Sequence, residues 1–305
     1  MKHLFDIPEE KRIRVIIISD AKIESDDQYA IVHALLTPRF EVEGMIASHF
    51  RNSISVKKKF VSDDTVEQSY DEIMKLLTIM HLEDTIPVLK GANTFLENSH
   101  TPQDSEGEAF IIEKCKKISN RPLYILCLGA LTDLASAYLK DNDIGKKFTA
   151  VWIGGAKYPH GGNEANLCQD INAANIIFQS NILLWQITSE AYRKVRVSIA
   201  ELAFKVKPCG SIGSYLYEQL VEFNNKRAAL PDWPKGETWC LGDSPAISVL
   251  IDDQEGCYET KNAPFIDEKG NYIETNSDRK ITVYHDIDSR FTMEDFYAKL
   301  KLYAE

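Results

Sequence analysis

Arg14-Val15-Ile16-Ile17-Ile18-Ser19-Asp20-Ala21-Lys22-Ile23-Glu24-Ser25-Asp26-Asp27-Gln28 runs from an unbroken β-branched segment into an acidic turn. Val15 to Ile18 shows no polar alternation, which reads as a strand buried on both faces, as in a parallel sheet. The apolar-periodic segment Tyr29 to Leu36 then reads as a helix. The turn between them sits at the carboxyl end of the strand, where open α/β sheets place their ligand sites. It carries Asp20, Glu24, Asp26 and Asp27. Carboxylates packed this closely repel one another unless a cation or a proton compensates, and hard oxygen ligands suit calcium or magnesium. The plainer alternative is an acidic first turn that complements the helix dipole. One or two acidic residues suffice for that.

The same strand–helix alternation continues along the chain. Strands are expected at 14–19, 42–48, 86–89, 123–128, 149–153, 182–187 and 281–285. Helices are expected near 26–37, 63–80, 105–118, 130–140, 171–179, 198–204 and 210–227, with a closing helix from Thr292. Residues 91–106 and 228–241 read as loops, the second anchored by Pro231, Trp233 and Pro234. No repeat or composition break divides the chain. The expectation is therefore an α/β fold over 1–305, one domain with a single doubly wound, mostly parallel sheet and helices on both faces.

The spacing of Asp20, Asp26 and Asp27 after a leading strand resembles the amino-terminal signature of the inosine/uridine-preferring nucleoside hydrolase superfamily, Asp-Thr-Asp-Pro-Gly-x-Asp-Asp, and looks like a divergent bacterial branch of it. Three further blocks carry the resemblance. Leu123 to Ala135, with Leu128-Gly129-Ala130-Leu131-Thr132-Asp133, looks like the family's strand, Gly-Pro-Leu-Thr-Asn turn and helix. Asn163-Glu164-Ala165-Asn166 with Asp170 echoes the segment that holds the ribose hydroxyls, after a strand ending in Gly154-Gly155. Gly242-Asp243-Ser244-Pro245 resembles the family's His-Asp-Pro turn. Taken alone, the last two are ordinary loop and helix-start sequences.

The resemblance implies a hydrolase that cleaves the N-glycosidic bond of ribonucleosides with a calcium-activated water. It implies Asp20, Asp27, the Leu128 carbonyl and Asp243 as metal ligands, and Asp26, Asn52, Asn163, Glu164 and Asn166 at the substrate. It also implies a homodimer or homotetramer in the cytoplasm. Ala165 replaces the usual aromatic, and two further departures touch the chemistry. Lys22 stands where the family has an aspartate that binds calcium and activates water, and a protonated lysine can do neither. Glu24, two residues on, is the substitute base and a possible ligand in place of Asp20. Gly242 stands where a histidine assists the departing base. His49, after the second strand, is the first choice to replace it, and His100 the second. His33 and the scattered cysteines read as structural, with Cys168 the one thiol inside the sugar loop.

Composition narrows the partners. A formal charge of −11 on 305 residues argues against a nucleic-acid surface, which needs clustered Lys and Arg. No 20-residue apolar run or signal-like start is present. Six cysteines without paired spacing fit a reducing compartment. A magnesium-dependent phosphate-transfer enzyme would need a phosphate cradle, and no Gly-x-x-x-x-Gly-Lys-Ser/Thr segment is present. The remaining rival is a metal-free or catalytically altered relative that binds a nucleoside or sugar, or hydrolyses an atypical glycoside. If Lys22 points into the acidic turn, its ammonium would replace part of the metal's charge.

Overall fold

A computed structural model describes residues 5–51, 64–230 and 233–305. The elements follow in the order β1 (Ile13–Ser19), α1 (Asp27–Leu35), β2 (Phe40–Ala47), α2 (Thr65–Ile79), β3 (Val88–Lys90), α3 (Glu106–Lys116), β4 (Leu123–Cys127), α4 (Thr132–Lys140) and β5 (Phe148–Ile153). Next come α5 (Ala165–Gln169), α6 (Ile171–Gln179), β6 (Leu183–Ile187), α7 (Ser189–Tyr192), β7 (Arg196–Ser198), α8 (Ile199–Lys205) and α9 (Gly210–Arg227). The chain closes with β8 (Thr238–Cys240), α10 (Pro245–Ile251), β9 (Tyr258–Asn262), β10 (Phe265–Ile266), β11 (Tyr272–Ile273), β12 (Lys280–Tyr284) and α11 (Ser289–Ala304).

The main sheet has eight strands in the order β3-β2-β1-β4-β5-β6-β12-β9. Every pair is parallel except β12 with β9. All seven residues of β1 are buried, because its two faces feed different cores. Val15 and Ile17 pack with residues of α1, α2, α9, α10 and α11, while Ile16 and Ile18 pack with α3, α4 and α6. That is the period of two expected of a strand with helices on both faces.

Strand order decides where a ligand can sit. From β1 the chain winds outward through β2 and β3, then returns to the other side of β1 to build β4, β5 and β6. The winding direction therefore reverses between β1 and β4, which opens a crevice beyond their carboxyl ends. Asp20 follows β1 directly and Leu128-Gly129 follows β4.

Two parts of the fold differ from the sequence expectation. β9 is an added antiparallel edge strand, and its Tyr-Glu-Thr-Lys-Asn sequence is too polar and exposed to announce itself. The stretch expected to be loop at 228–241 contains β8, which pairs antiparallel with β7. Among the described residues, no helix is long and apolar enough to cross a membrane.

Candidate active site

Asp20, Ile23, Glu24, Asp26, Asp27, Leu128, Ile153, Glu164, Ala165, Asn166, Tyr192, Gly242 and Asp243 line one cavity at the β1/β4 crevice. It encloses about 80 Å³, several times the ~15 Å³ that one water requires. Segments distant in sequence meet here because each follows a strand or opens a helix at the same end of the sheet.

The acidic turn is fixed at both ends. Asp26 caps α1, its carbonyl accepting from the Tyr29 and Ala30 amides. Its Oδ2 accepts from the Gly242 amide at 3.0 Å, tying the turn to the loop before α10. Asp27 opens the helix, and its Oδ1 accepts from the Ser19 hydroxyl at 2.5 Å. On the far side, Asp20 Oδ2 accepts from Gln169 Nε2 at 2.8 Å. Gly129 lets β4 pass close to that carboxylate, since a Cβ there would lie 2.7 Å from Asp20 Cγ.

Asp26, Asp27 and Asp243 each present one carboxylate oxygen within 4.8 Å of the other two. Calcium binds oxygen at roughly 2.3–2.6 Å, so oxygens sharing one ion lie at most about 5 Å apart. The trio fits that limit. Asp20 and Leu128 line the same cavity beside it.

The electrostatics fit a cation as well. Asp20, Asp26 and Asp243 are raised well above ordinary carboxylate values, first by burial and then by the neighbouring acids. Asp27 is pushed up to about 6, with burial the main cause. Glu24 is pushed up to about 7 by burial and the charge of Asp27, against the opposing pull of Arg227 and Arg193. Asp27 and Asp243 each push on the other's charge, with one oxygen of each within 4.8 Å of one on the other. Buried acids of this density demand positive charge, and a divalent cation supplies it.

Lys22 does not. Its Nζ donates to Glu72 Oε2 at 2.7 Å and its side chain is 43% exposed, outside the cavity. Replacement of metal charge by the Lys22 ammonium is thereby corrected.

The sugar-loop residues separate. Glu164 is buried and caps α5, and its Oε2 accepts from the Gly155 and Leu167 amides at 2.7 and 2.9 Å. Asn166 Nδ2 donates to the Leu128 carbonyl at 2.6 Å and to that of Ile153 at 2.9 Å, so it sits against the backbone of two adjacent strands. Asn163 does not reach the cavity. It is exposed, and its Oδ1 accepts from Cys168 Sγ at 3.0 Å. That thiol also stays off the cavity wall.

His49 is the clearest correction. It is fully buried, and its Nε2 lies 2.9 Å from Thr132 Oγ1, which donates to Asp170 Oδ2. Burial and the charge of Arg51 lower it to about 4. It is neutral near pH 7 and does not line the cavity. His100 is exposed on the 91–106 loop, also off the cavity wall. His33 is buried with Nε2 2.7 Å from Asp295 Oδ2, joining α1 to α11. Asn52 lies outside the described residues.

Tyr192 is the cavity residue that sequence reading missed. Its hydroxyl donates to Glu164 Oε1 at 2.8 Å from the end of α7. Its position just beyond the carboxyl end of β6 was the available signal.

Comparison with known proteins bears on the family and the fold. The family model for inosine-uridine preferring nucleoside hydrolases matches residues 15–293. A pyrimidine-specific ribonucleoside hydrolase, RihA, from Salmonella schwarzengrund is 24% identical, the match covering 94% of this chain and 99% of that one. A purine-preferring ribonucleoside hydrolase from Gardnerella vaginalis superposes with a TM-score of 0.77 at 20% identity, over 95% of this chain and 99% of that one. A plant nucleoside hydrolase gives 0.76 at 20% identity with the same coverage of both chains.

Proposed function

Because this chain belongs to the inosine-uridine preferring nucleoside hydrolase family, we propose that it hydrolyses the N-glycosidic bond of ribonucleosides, releasing ribose and free base, with calcium as its metal. The observation that carries the reading is the meeting of the Asp26, Asp27 and Asp243 oxygens within 4.8 Å, in a cavity that also exposes Asp20 and Glu164. Such clustering is costly for a binding module that holds no cation.

Asp27 and Asp243 would hold the metal, with Asp20 and the Leu128 carbonyl as the remaining protein ligands. Leu128 can serve both Asn166 and a cation, because a carbonyl oxygen has two lone pairs. When bound, calcium polarises a water and offsets the carboxylate charge. Bond cleavage passes through an oxocarbenium-like sugar, which a carboxylate-rich wall stabilises. Glu24, at about 7, is matched to accept a proton from water near neutral pH. It thereby fills the role that Lys22 cannot. Asp26 and Glu164 would accept from sugar hydroxyls, and Asn166 would present its Oδ1 to one, orienting the anomeric carbon.

The test is calcium stoichiometry on dialysed protein together with ribose release from a panel of ribonucleosides. The expected result is one calcium per chain and ribose release, both lost in Asp27→Ala. Absence of both in the unaltered protein overturns the reading and leaves a sugar-binding relative.

A further inference from the structure

Tyr192 and Gly242 face each other across the cavity wall. A Cβ on Gly242 would lie 3.1 Å from Tyr192 Cδ2 and 3.3 Å from Asp26 Oδ2. The tyrosine ring thus occupies the volume that a side chain at 242 would need. The two positions are coupled: the ring is accommodated because residue 242 has no side chain.

The other end of the same ring acts on Glu164. Oε2 of that carboxylate is held by two backbone amides, from Gly155 and Leu167. Oε1 receives the Tyr192 hydroxyl at 2.8 Å and, at a longer 3.3 Å, the Asn166 amide. Among the described residues, Tyr192 is the one side chain that hydrogen-bonds Glu164. Four donors on one carboxylate fix both its rotation and its plane, and the longest of them, the Asn166 amide at 3.3 Å, is the one that a ribose hydroxyl would replace at Oε1. Removing the phenol leaves Oε1 with only the weaker bond and lets the carboxylate turn.

We propose that Tyr192 is a positioning residue for the sugar subsite: its hydroxyl aims Glu164 at one ribose hydroxyl, and its ring, seated against Gly242, sets the width of the cavity between Glu164 and Asp26. The proposal rests on the nucleoside reading of this cavity. It assigns the selectivity for ribose over deoxyribose to a tyrosine at the end of α7, outside every block of the family resemblance.

Kd is measured by stopped-flow intrinsic fluorescence, before the first turnover, for calcium-loaded protein with inosine, 2′-deoxyinosine and 3′-deoxyinosine, and again with uridine and its two deoxy counterparts, for the unaltered chain, Tyr192→Phe and Glu164→Gln. Tyr192→Phe keeps the ring and the packing against Gly242. It is expected to weaken the ribonucleoside about tenfold. The deoxy counterpart that lacks the hydroxyl held by Glu164 should change less than twofold, and Glu164→Gln should single out the same counterpart. Calcium affinity of Tyr192→Phe should stay unchanged, and its thermal midpoint should fall only by the few degrees that one lost buried hydrogen bond costs. Equal weakening of all three ligands, or none, overturns the positioning role while leaving the nucleoside reading intact. If the unaltered protein binds none of the six ligands, the nucleoside reading fails, and this proposal with it.

Discussion

Lys22 Nζ donates to Glu72 Oε2 at 2.7 Å, so the residue that breaks the family's acidic signature is drawn out to α2 rather than into the carboxylate cluster. Glu72 is buried and also accepts from Gln28 Nε2 at 3.1 Å and the Tyr215 hydroxyl at 2.5 Å. The pair links the acidic turn to α2, and Tyr215 extends that link to α9. Lys22 therefore adds no positive charge to the Asp26, Asp27 and Asp243 cluster.

Lys22→Met follows directly. It removes one charge-assisted bond from a half-exposed side chain, so stability should fall by about 1 kcal/mol. Calcium affinity should change less than twofold. Chemical denaturation and a calcium titration check both, and a tenfold or larger loss of calcium binding would place Lys22 functionally inside the site.

The like charges at the cavity make a prediction of opposite sign for stability and function. Asp243 sits against Asp26, Asp27 and Asp20, which together with burial disfavour its ionised form. In Asp243→Asn the calcium-free protein should gain about 1 kcal/mol at pH 8, because one repelling charge is gone. Stabilisation by saturating calcium should disappear with the ligand. Thermal melts with calcium and with chelator separate the two effects. A destabilised calcium-free variant would mean that the packing of the Asp243 carboxyl outweighs the repulsion.

The β1 segment and its acidic turn were legible because β1 is apolar on both faces and ends in residues too acidic for an ordinary helix start. β9 was not, since an edge strand exposed on most of its length carries no apolar alternation to read. Of the residues lining the cavity, Asp20, Asp26, Asp27, Glu164, Asn166 and Asp243 were reached through the family resemblance, and Glu24 as the substitute for Lys22. Their side chains meet because all sit at one end of a parallel sheet. His49 shows the limit of that logic. It too follows a strand at the same end, but its ring turns under α4 to Thr132, and side-chain direction beyond a strand is not encoded in position. Tyr192 had only its place beyond β6 to announce it, because nothing in Ser-Glu-Ala-Tyr marks the tyrosine apart from a core aromatic.

The buried place of His49 has its own consequence. Burial lowers its ring to about 4, and the ring is bonded to Thr132 rather than facing the cavity. His49→Gln should cost about 1–3 kcal/mol of stability, as buried polar substitutions do. The pH dependence of kcat between pH 5 and 8 should keep its shape. A lost or shifted limb in that profile would return His49 to the chemistry.

Acid sensitivity should trace to the opposite end of the sheet. Arg14 donates to both Glu43 oxygens at 2.8 Å, and Lys117 donates to Oε1 at 2.7 Å. Against the opposing cost of burial, these bonds hold Glu43 down at about 2. An unfolded glutamate titrates near about 4.3. The folded value is the lower one, so the contribution is complete above about pH 4.3 and is lost as pH falls through about 2. Glu43→Gln should cost about 3 kcal/mol at pH 7 by leaving Arg14 buried with a weakened partner. The gap between variant and parent should close on acidification. Urea denaturation from pH 7 to 2 tests this, and a gap independent of pH would assign the loss to packing instead.

Gly129 gives the sharpest structural test of the metal site. An added Cβ would lie 2.7 Å from Asp20 Cγ and 2.8 and 2.9 Å from its two oxygens, closer than side chains tolerate. The Gly129 carbonyl meanwhile accepts from Trp152 Nε1 at 3.1 Å, which anchors the backbone and leaves Asp20 as the group that must move. Displacing Asp20 would break its bond from Gln169 and turn its carboxylate away from the cavity. Gly129→Ala is therefore expected to weaken calcium binding at least tenfold while the calcium-free protein loses only about 1–2 kcal/mol, the ordinary range for overpacking one methyl group. Isothermal titration with calcium and a chelated thermal melt measure the two quantities separately. Unchanged affinity would show that Asp20 is no ligand and that Asp26, Asp27 and Asp243 suffice.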